Sequence, residues 1–265
     1  MDILETIADY AKIRVAADKE KISLEELKER CLSLPSSLQT PGAAFESALK
    51  RPGVSFICEV KKASPSKGLI SADFPYIAIA KEYESAGADC VSCLTEPKWF
   101  LGSDEIFMEI RAAIKLPMIR KDFTIDEYQI YQARLMGANA VLLICSLLDE
   151  DTVARYLGIC AQLGLTAIVE AHDSSEIQEA LACGARIIGV NNRNLRDFTV
   201  DIGNSGRLRS LVPDDIIFVA ESGIKTPEDV RKLADTGVDA VLVGEALMRS
   251  GGITETLQIL RGCGA

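Results

Sequence analysis

The chain has 265 residues, of which 48% are hydrophobic and 26% charged, an ordinary composition for one large globular domain or two small ones. Its formal net charge of −10 argues against general affinity for nucleic acid or an anionic membrane, but not against a local site for a small anion. No run of about 18 apolar residues predicts a transmembrane helix, and the N-terminal stretch has no apolar core of the signal-peptide type, so we predict a cytoplasmic protein.

The first part of the chain is predicted to be helical. Apolar residues recur at helical spacing over 1–17. A second short helix is predicted over 24–33, with Ser23 as its N-cap and Glu26 three residues later. The Pro/Ser/Gly-rich stretch 34–44 then predicts a connector.

Eight strand-like apolar runs follow, beginning with the buried-strand pattern FICEV. Four of the runs come after a glycine suited to end a helix, at Gly87, Gly137, Gly184 and Gly237. Amphipathic helical stretches separate most of the runs, and GNSGRLRSLV at 203–212 is the weakest of these. Near-continuous apolar strands that alternate with helices indicate parallel strands buried on both faces.

This pattern predicts an α/β fold, a (β/α)8 TIM barrel with an N-terminal helical extension. Eight units that repeat about every 25 residues fit such a barrel. A doubly wound open sheet is the alternative, but no dinucleotide-type GxGxxG follows the first strand. We predict that residues 1–265 form a single barrel domain, of which 1–45 is the helical extension.

Eight cysteines are scattered along the chain, at positions 31, 58, 90, 93, 145, 160, 183 and 263. Cys90 and Cys93 form a CxxC, but they lie inside a strand-like run, where residues three apart face opposite sides. There is no second cysteine pair and only one histidine, His172, which argues against a zinc site. We therefore predict that the thiols pack in the core, and we expect no metal and no redox cofactor.

Polar residues stand where several of the predicted strands end. They are Glu59, Lys61, Arg120, Lys121, Asp122, Glu170, Asn191, Asn192, Arg193, Glu221, Ser222, Gly223, Gly244 and Glu245. Any one of them would ordinarily be a solvated loop residue, but the carboxyl ends of barrel strands converge on one mouth. Lys61 and Glu59 are two apart in a strand, so their side chains should project together.

The glycines after the last two predicted strands point to a phosphate site. In many barrels the loops after the seventh and eighth strands bind phosphate through backbone N–H groups. The stretches ESG at 221–223 and VGEALM at 243–248 supply glycines there, although such glycines could simply turn the chain. Composition and spacing thus predict a barrel enzyme for a small phosphorylated substrate, with lysine and glutamate acid–base groups.

Several long motifs resemble the indole-3-glycerol-phosphate synthase family of tryptophan biosynthesis. The matching stretches are ICEVKKASPSKG at 57–68, LTEPKWFLGS at 94–103, IRKDFTIDEYQIYQARLMGANAVLLI at 119–144, IVEAHD at 168–173, IGVNNRNL at 188–195, VAESGI at 219–224 and VLVGEALM at 241–248. The resemblance implies a carboxy-lyase that converts 1-(2-carboxyphenylamino)-1-deoxyribulose 5-phosphate to indole-3-glycerol phosphate, CO2 and water. The predicted helical N-terminal extension also agrees with this resemblance.

The resemblance further implies roles for the residues at the strand ends. Lys121 would be the general acid for ring closure, with a pKa lowered by other cations or by a dry pocket. Glu170 would be the acid–base group for the dehydration and Lys61 a second proton donor. Glu59 and Asn191 would position hydroxyl groups and the lysines. Glu221 and Ser222 would complete the polar floor of the site.

The substrate-binding residues carry over in the same way. Ser64, Gly223 and Gly244 would contact the phosphate, with Arg193 near the ribulose or phosphate end, and SPSKG would cover that end. The expected apolar wall around the anthranilate ring consists of Trp99, Phe100, Phe123 and Leu142. Glu245 is left outside the site, because an acid beside a phosphate is repulsive.

The residues by themselves leave two other functions open. Another phosphosugar barrel, such as an isomerase, needs one acid and one base but no provision for a departing carboxylate, whereas here Lys61 and Lys121 accompany two glutamates. A non-catalytic barrel that binds a phosphometabolite or acts as a partner subunit would not need these side chains. Association with other enzymes of the tryptophan pathway, and closure of the N-terminal extension over the mouth, are left open.

Overall fold

A computed structural model of the chain describes residues 3–35, 41–194 and 198–262. Cys263 and the middle of the predicted connector, 36–40, lie outside the described residues. Eight parallel strands close into a barrel in which each strand pairs with its neighbours in chain order and the first pairs with the last. They are β1 Ser55–Val60, β2 Cys90–Leu94, β3 Met118–Lys121, β4 Ala140–Ile144, β5 Thr166–Ala171, β6 Ile187–Asn191, β7 Ile217–Glu221 and β8 Ala240–Val243. The predicted barrel is confirmed, and the open sheet is excluded.

The strands read as continuous apolar runs because both of their faces are buried. Ile57 and Ile168 point into the barrel interior, while the adjacent Cys58 and Val169 pack in the layer between strands and helices. Cys90 and Cys93 divide in the same way, one inside and one outside, and both are fully buried. The seven cysteines in the described part of the chain are free thiols, so the prediction of core packing is confirmed for those that are buried.

Helices follow the strands around the barrel. They are α4 Tyr76–Ser85, α5 Asp104–Ala113, α6 Glu127–Leu135, α7 Glu150–Gln162, α8 Ser174–Ala182, α9 Gly203–Arg209, α10 Pro227–Asp235, α11 Glu245–Met248 and α12 Ile253–Leu260. The weak stretch at 203–212 does form a helix, but a short one. After β1 a small hairpin, Ala63–Ser64 with Gly68–Leu69, precedes α4. None of the helices in the described residues is long and apolar enough to cross a membrane.

Three helices precede the barrel, α1 Ile3–Lys21, α2 Leu24–Leu32 and α3 Pro41–Leu49. The predicted cap of α2 is confirmed, since the Ser23 hydroxyl accepts from the Glu26 N–H at 3.1 Å. The prediction of a connector is wrong for its last four residues, which begin α3. Pro41 occupies the first helical position, where its missing N–H has no intrahelical acceptor to lose.

The two ends of the barrel are covered by different helices of this extension. α3 closes the amino-terminal end, where Phe45 and Leu49 join the interior core. Gly42 permits the close approach, because a Cβ there would lie 2.5 Å from the Thr166 nitrogen. At the opposite end Leu4 and Ile7 of α1 belong to the same interior core. Of the extension, it is therefore α1 that lies over the mouth.

Candidate active site

A cavity of about 530 Å³ opens at the carboxyl ends of the strands. Fourteen of the predicted site residues line it: Lys121, Glu170, Lys61, Glu59, Asn191, Glu221, Ser222, Ser64, Arg193, Gly223, Gly244, Phe100, Phe123 and Leu142. Trp99 does not, and the expectation that it belongs to the apolar wall is wrong. Its ring packs edge-to-face on Tyr10 of α1, with 5.6 Å between the ring centroids.

Lys121, the last residue of β3, lies between two carboxylates from the far side of the barrel. Its Nζ is 2.7 Å from Oε2 of Glu221 and 3.7 Å from Oε2 of Glu170. Burial alone would lower the pKa of this ammonium, but the charges of Glu221, Glu170 and Glu59 outweigh it and raise the pKa above its ordinary value. The expectation of a lowered pKa is therefore wrong, because the nearest charges are anions.

Glu221, at the end of β7, is held in place by Lys121 on one side and by β6 on the other. A Cβ at Gly189 would lie 2.5 Å from its Oε1, so only glycine leaves room for this carboxylate. Oε1 is buried without a hydrogen-bond partner in the structure. Burial raises the pKa of Glu221 to about 7, even though Lys121 opposes that shift. This carboxyl group can therefore gain or lose a proton near neutral pH.

Glu59 and Lys61 form a second pair at the end of β1, as their spacing predicts. Oε1 of Glu59 lies 2.5 Å from Nζ of Lys61, and Ser92 donates to its other oxygen at 3.3 Å. Burial would raise the pKa of Glu59, but Lys61 and Lys121 outweigh it and hold the pKa below its usual value. A Cβ at Gly244 would lie 2.7 Å from Oε1 of Glu59, so only glycine leaves room for this carboxylate.

Glu170, at the end of β5, is held by neighbours on two sides. The Asn191 amide donates to its Oε1 at 3.3 Å, and Nε2 of His172 lies 3.6 Å from the same oxygen. The ring is fixed from behind by Glu176, whose Oε2 lies 3.2 Å from Nδ1. Sequence reasoning considered His172 only as a zinc ligand and missed this contact, although the motif IVEAHD places the two residues two apart.

The apolar wall faces these charges. Phe100 and Phe123 lie with their ring centroids 6.2 Å apart, and Leu142 completes the strand side. Phe100 is presented by a loop whose backbone N–H groups, from Lys98 to Phe100, donate to the buried carboxylate of Glu96. This organising carboxylate was not predicted.

The roof of the cavity comes from α1, which contributes Ile3, Leu4 and Ile7 to the lining. The helical spacing of Ile3 and Ile7 predicted an apolar face of this helix but not what that face would contact. Arg14 fixes the helix to the barrel by a two-pronged contact with Asp122, at 2.7 and 3.1 Å. Asp122 is one residue from Lys121, so the roof and the central lysine are anchored together.

A cluster of cations occupies one end of the cavity. The cluster consists of Lys67, Arg193 and Arg249, and Lys225 also lines the cavity. Arg193 was predicted at this end, and Lys67 belongs to the SPSKG stretch that was predicted to cover it. Ser222 and Gly223 both have positive φ, 67° and 83°, which turns the backbone after β7 toward this end. Ser64 and Ser66 of the SPSKG hairpin also line the cavity. Cations with hydroxyls and exposed backbone suit an anionic group such as phosphate.

The comparisons with known proteins agree with this geometry. In fold, the chain is similar to thiamine phosphate pyrophosphorylase from Pyrococcus furiosus, with a TM-score of 0.60 at 18% identity, over 79% of this chain and 94% of that one. In sequence, it is 54% identical to the indole-3-glycerol phosphate synthase of Ruminiclostridium cellulolyticum, over 98% of this chain and 99% of the relative. It is 49% identical to the protein of that name from Lachnoclostridium phytofermentans, over 94% of both chains. The family model described as indole-3-glycerol phosphate synthase matches residues 4–260, so the chain belongs to the indole-3-glycerol phosphate synthase family.

Proposed function

We propose that this chain is a carboxy-lyase that forms indole-3-glycerol phosphate, CO2 and water from 1-(2-carboxyphenylamino)-1-deoxyribulose 5-phosphate. The observation that carries the proposal is the position of Lys121. Its ammonium lies between Glu221 and Glu170 and lines the same cavity as the apolar wall and the cation cluster. Such a cavity suits a substrate with an aromatic ring at one end, a reacting ketone in the middle and a phosphate at the other end.

Ring closure needs a proton donor at the ketone oxygen, because the attack of the aromatic carbon leaves negative charge there. Lys121 is the proton donor in the proposal. Its raised pKa keeps the ammonium protonated at neutral pH, while the alkoxide that forms is basic enough to take the proton. A cation already in place also stabilises the developing oxyanion in a site shielded from water.

Decarboxylation and dehydration follow the ring closure. The C–CO2 bond breaks and its electron pair returns to the ring, which restores aromaticity. The new hydroxyl group must then leave as water, which requires one proton delivered to the hydroxyl and one removed from the ring system. In the proposal Lys61 delivers the proton and also holds the substrate carboxylate, while Glu170 accepts the proton that the ring loses.

The other polar groups position these two lysines and the glutamate. Glu59 holds Lys61 at 2.5 Å, and Asn191 orients Glu170 at 3.3 Å. Glu221 fixes Lys121, and Ser222 completes the polar floor of the cavity. A residue held by such contacts loses little freedom when the substrate binds, which favours reaction.

The phosphate would lie among the cations. We assign its contacts to Arg193, to the hydroxyl of Ser64 and to the backbone at Gly223 and Gly244, with the SPSKG hairpin covering this end. The anthranilate ring would lie against Phe100, Phe123 and Leu142. In this orientation we expect the ketone to be near Lys121, which lines the same cavity.

Incubation of the protein with the carboxyphenylamino substrate tests the proposal. We expect fluorescence of indole-3-glycerol phosphate to rise in proportion to protein concentration. A substrate that stays intact at every protein concentration, although calorimetry shows that it binds, would instead favour a non-catalytic barrel.

We also propose that residues 1–265 form one barrel domain that acts in the cytoplasm on this small phosphorylated molecule. The interior core supports the first point, because it contains residues of α1 and α3 together with strand residues. The seven free thiols in the described part of the chain support a reducing compartment.

A further inference from the structure

Glu245, the first residue of α11, points into the cation cluster. Its Oε1 lies 3.6 Å from Nζ of Lys67 and 3.8 Å from Nε of Arg249. Its Oε2 lies 3.6 Å from Nη2 of Arg193. The cations come from the hairpin after β1, the segment after β6 and the end of α11, so one carboxylate joins three parts of the mouth.

The contacts of Glu245 are electrostatic. The three distances exceed the 2.7–3.2 Å of a normal N–H···O hydrogen bond, so little directional bonding is lost when the carboxylate moves away. The side chains of Glu245 and Arg193 are 27% and 18% exposed, whereas those of Lys67 and Arg249 are 42% and 48% exposed, so water screens two of the three pairs more than the third. A partly shielded group of this kind interacts more strongly than a surface pair and less strongly than a buried one.

The charges of the cluster match a phosphate monoester. Lys67, Arg193 and Arg249 supply three positive charges and Glu245 one negative charge, which leaves two positive charges. A phosphate monoester carries about −1.5 to −2 charges at neutral pH. Without Glu245 the cluster would hold an excess of positive charge and would bind monovalent anions as well.

We propose that Glu245 is a specificity-determining residue, an internal anion that holds the three cations until the phosphate of the substrate displaces its carboxylate. This inference rests on the proposed function for the identity of the phosphorylated ligand. A doubly charged phosphate displaces Glu245, whereas a carboxylate or chloride ion gains too little from the same cations. The carboxylate returns as product leaves, which shortens the residence of the product.

The substitution Glu245→Gln tests the proposal, because it removes the charge and keeps the size. Calorimetric titration with inorganic phosphate should show affinity increased by about three- to tenfold, the effect expected for loss of one partly screened like charge. The KM for the carboxyphenylamino substrate should fall by a similar factor, and inhibition by chloride should become stronger. Glu245→Asp, which keeps the charge, should bind phosphate more like the unmodified protein than like Glu245→Gln.

Glu255→Gln is the matched control. It changes the net charge by the same amount at an exposed position of α12, so its affinity for phosphate should stay within about twofold. Phosphate affinity that is unchanged or weaker in Glu245→Gln would overturn the proposal, since it would mean that the carboxylate does not compete with phosphate. Phosphate binding is measured without turnover, so absence of synthase activity in the unmodified protein would contradict the proposed function separately.

Discussion

Nζ of Lys121 lies 2.7 Å from Oε2 of Glu221, across the barrel from β3 to β7. The two residues are 100 positions apart in the chain, and the Glu221 side chain is 2% exposed and that of Lys121 13% exposed. Each depends on the other, since burial of either charge alone would be costly. The pair gives the cavity a protonated lysine beside a carboxyl group that titrates near neutral pH.

Replacement of Lys121 by methionine should nearly abolish turnover. We expect a loss of about 10² to 10⁴ in turnover, the usual range for removal of an acid–base group. The fold should persist, because Glu221 can take up a proton once its partner is gone. Rates followed by indole fluorescence, with circular dichroism to verify folding, check this. Lys115→Met, an exposed lysine of the α5–β3 loop, is the control, and near-normal turnover of Lys121→Met would remove Lys121 from its role.

Glu221 should make stability depend on pH between about 4.5 and 7. Its pKa is raised from 4.5 to about 7, so the folded state binds the proton more tightly than the unfolded state. That stabilisation is complete below the unfolded pKa and is lost as pH rises through the folded pKa. Relative to Glu221→Gln, the unmodified protein should therefore lose on the order of 2 kcal/mol of unfolding free energy between pH 4.5 and 7.5.

Urea unfolding at several pH values measures this difference. A difference between the two proteins that stays constant over the range, or one that moves in favour of the unmodified protein as pH rises, would contradict the assignment of a raised pKa to Glu221.

Replacement of Arg14 by methionine should loosen the roof of the cavity. Oδ2 of Asp122 would keep its contacts with Oγ1 of Thr95, at 2.6 Å, and with Nη2 of Arg120, at 3.6 Å. The carboxylate would lose both of its hydrogen bonds from α1. We expect the unfolding free energy to fall by about 1–3 kcal/mol and hydrogen exchange in α1 to become faster. The KM should rise, because α1 supplies three lining residues.

Lys12→Met provides a matched control on the same helix. Lys12 pairs with Asp9 at 2.8 Å, but both side chains are exposed, so the change should stay within about 0.5 kcal/mol. Equal effects of the two substitutions would show that the contact with Asp122 does not anchor the helix.

Gly189→Ala should displace Glu221. The added Cβ would meet Oε1 of Glu221 at 2.5 Å and Cγ2 of Ile168 at 2.7 Å. We expect stability to fall by about 1–3 kcal/mol and turnover by at least about tenfold, because small displacements of catalytic groups are costly. Thermal unfolding and turnover measured together check both effects.

Gly158→Ala is the corresponding control. Gly158 lies within α7, and a Cβ there would have nothing within 4 Å. Alanine should stabilise this helix by about 0.5–1 kcal/mol and leave turnover as it is. Normal turnover in Gly189→Ala would show that the position of Glu221 is not set by β6.

The barrel could be predicted because its strands are buried on both faces and therefore read as continuous apolar runs. Glycines such as Gly87, with a φ of 88°, marked the helix ends. The start of α3 could not be predicted from local composition, since proline is equally suited to a loop and to the first position of a helix. Only the packing of Phe45 and Leu49 on the interior decides between them.

The predicted strand ends showed which polar residues would lie together at the mouth. They did not show which charged groups would be nearest to each of these residues. The pKa of Lys121 depends on carboxylates from three other strands, and their distances follow from barrel closure. The position of Glu245 was not predictable either, because two of its three cations, Lys67 and Arg193, come from distant parts of the chain. Ile3 and Ile7 showed an apolar face, yet the partner of that face is the cavity itself.

The most direct test of the account follows carbon dioxide. Substrate labelled at the carboxyl carbon should release one labelled CO2 for each indole formed, and Lys121→Met should slow both products together. Conversion of the substrate to an isomer that retains the label, or release of CO2 without an indole product, would contradict the account.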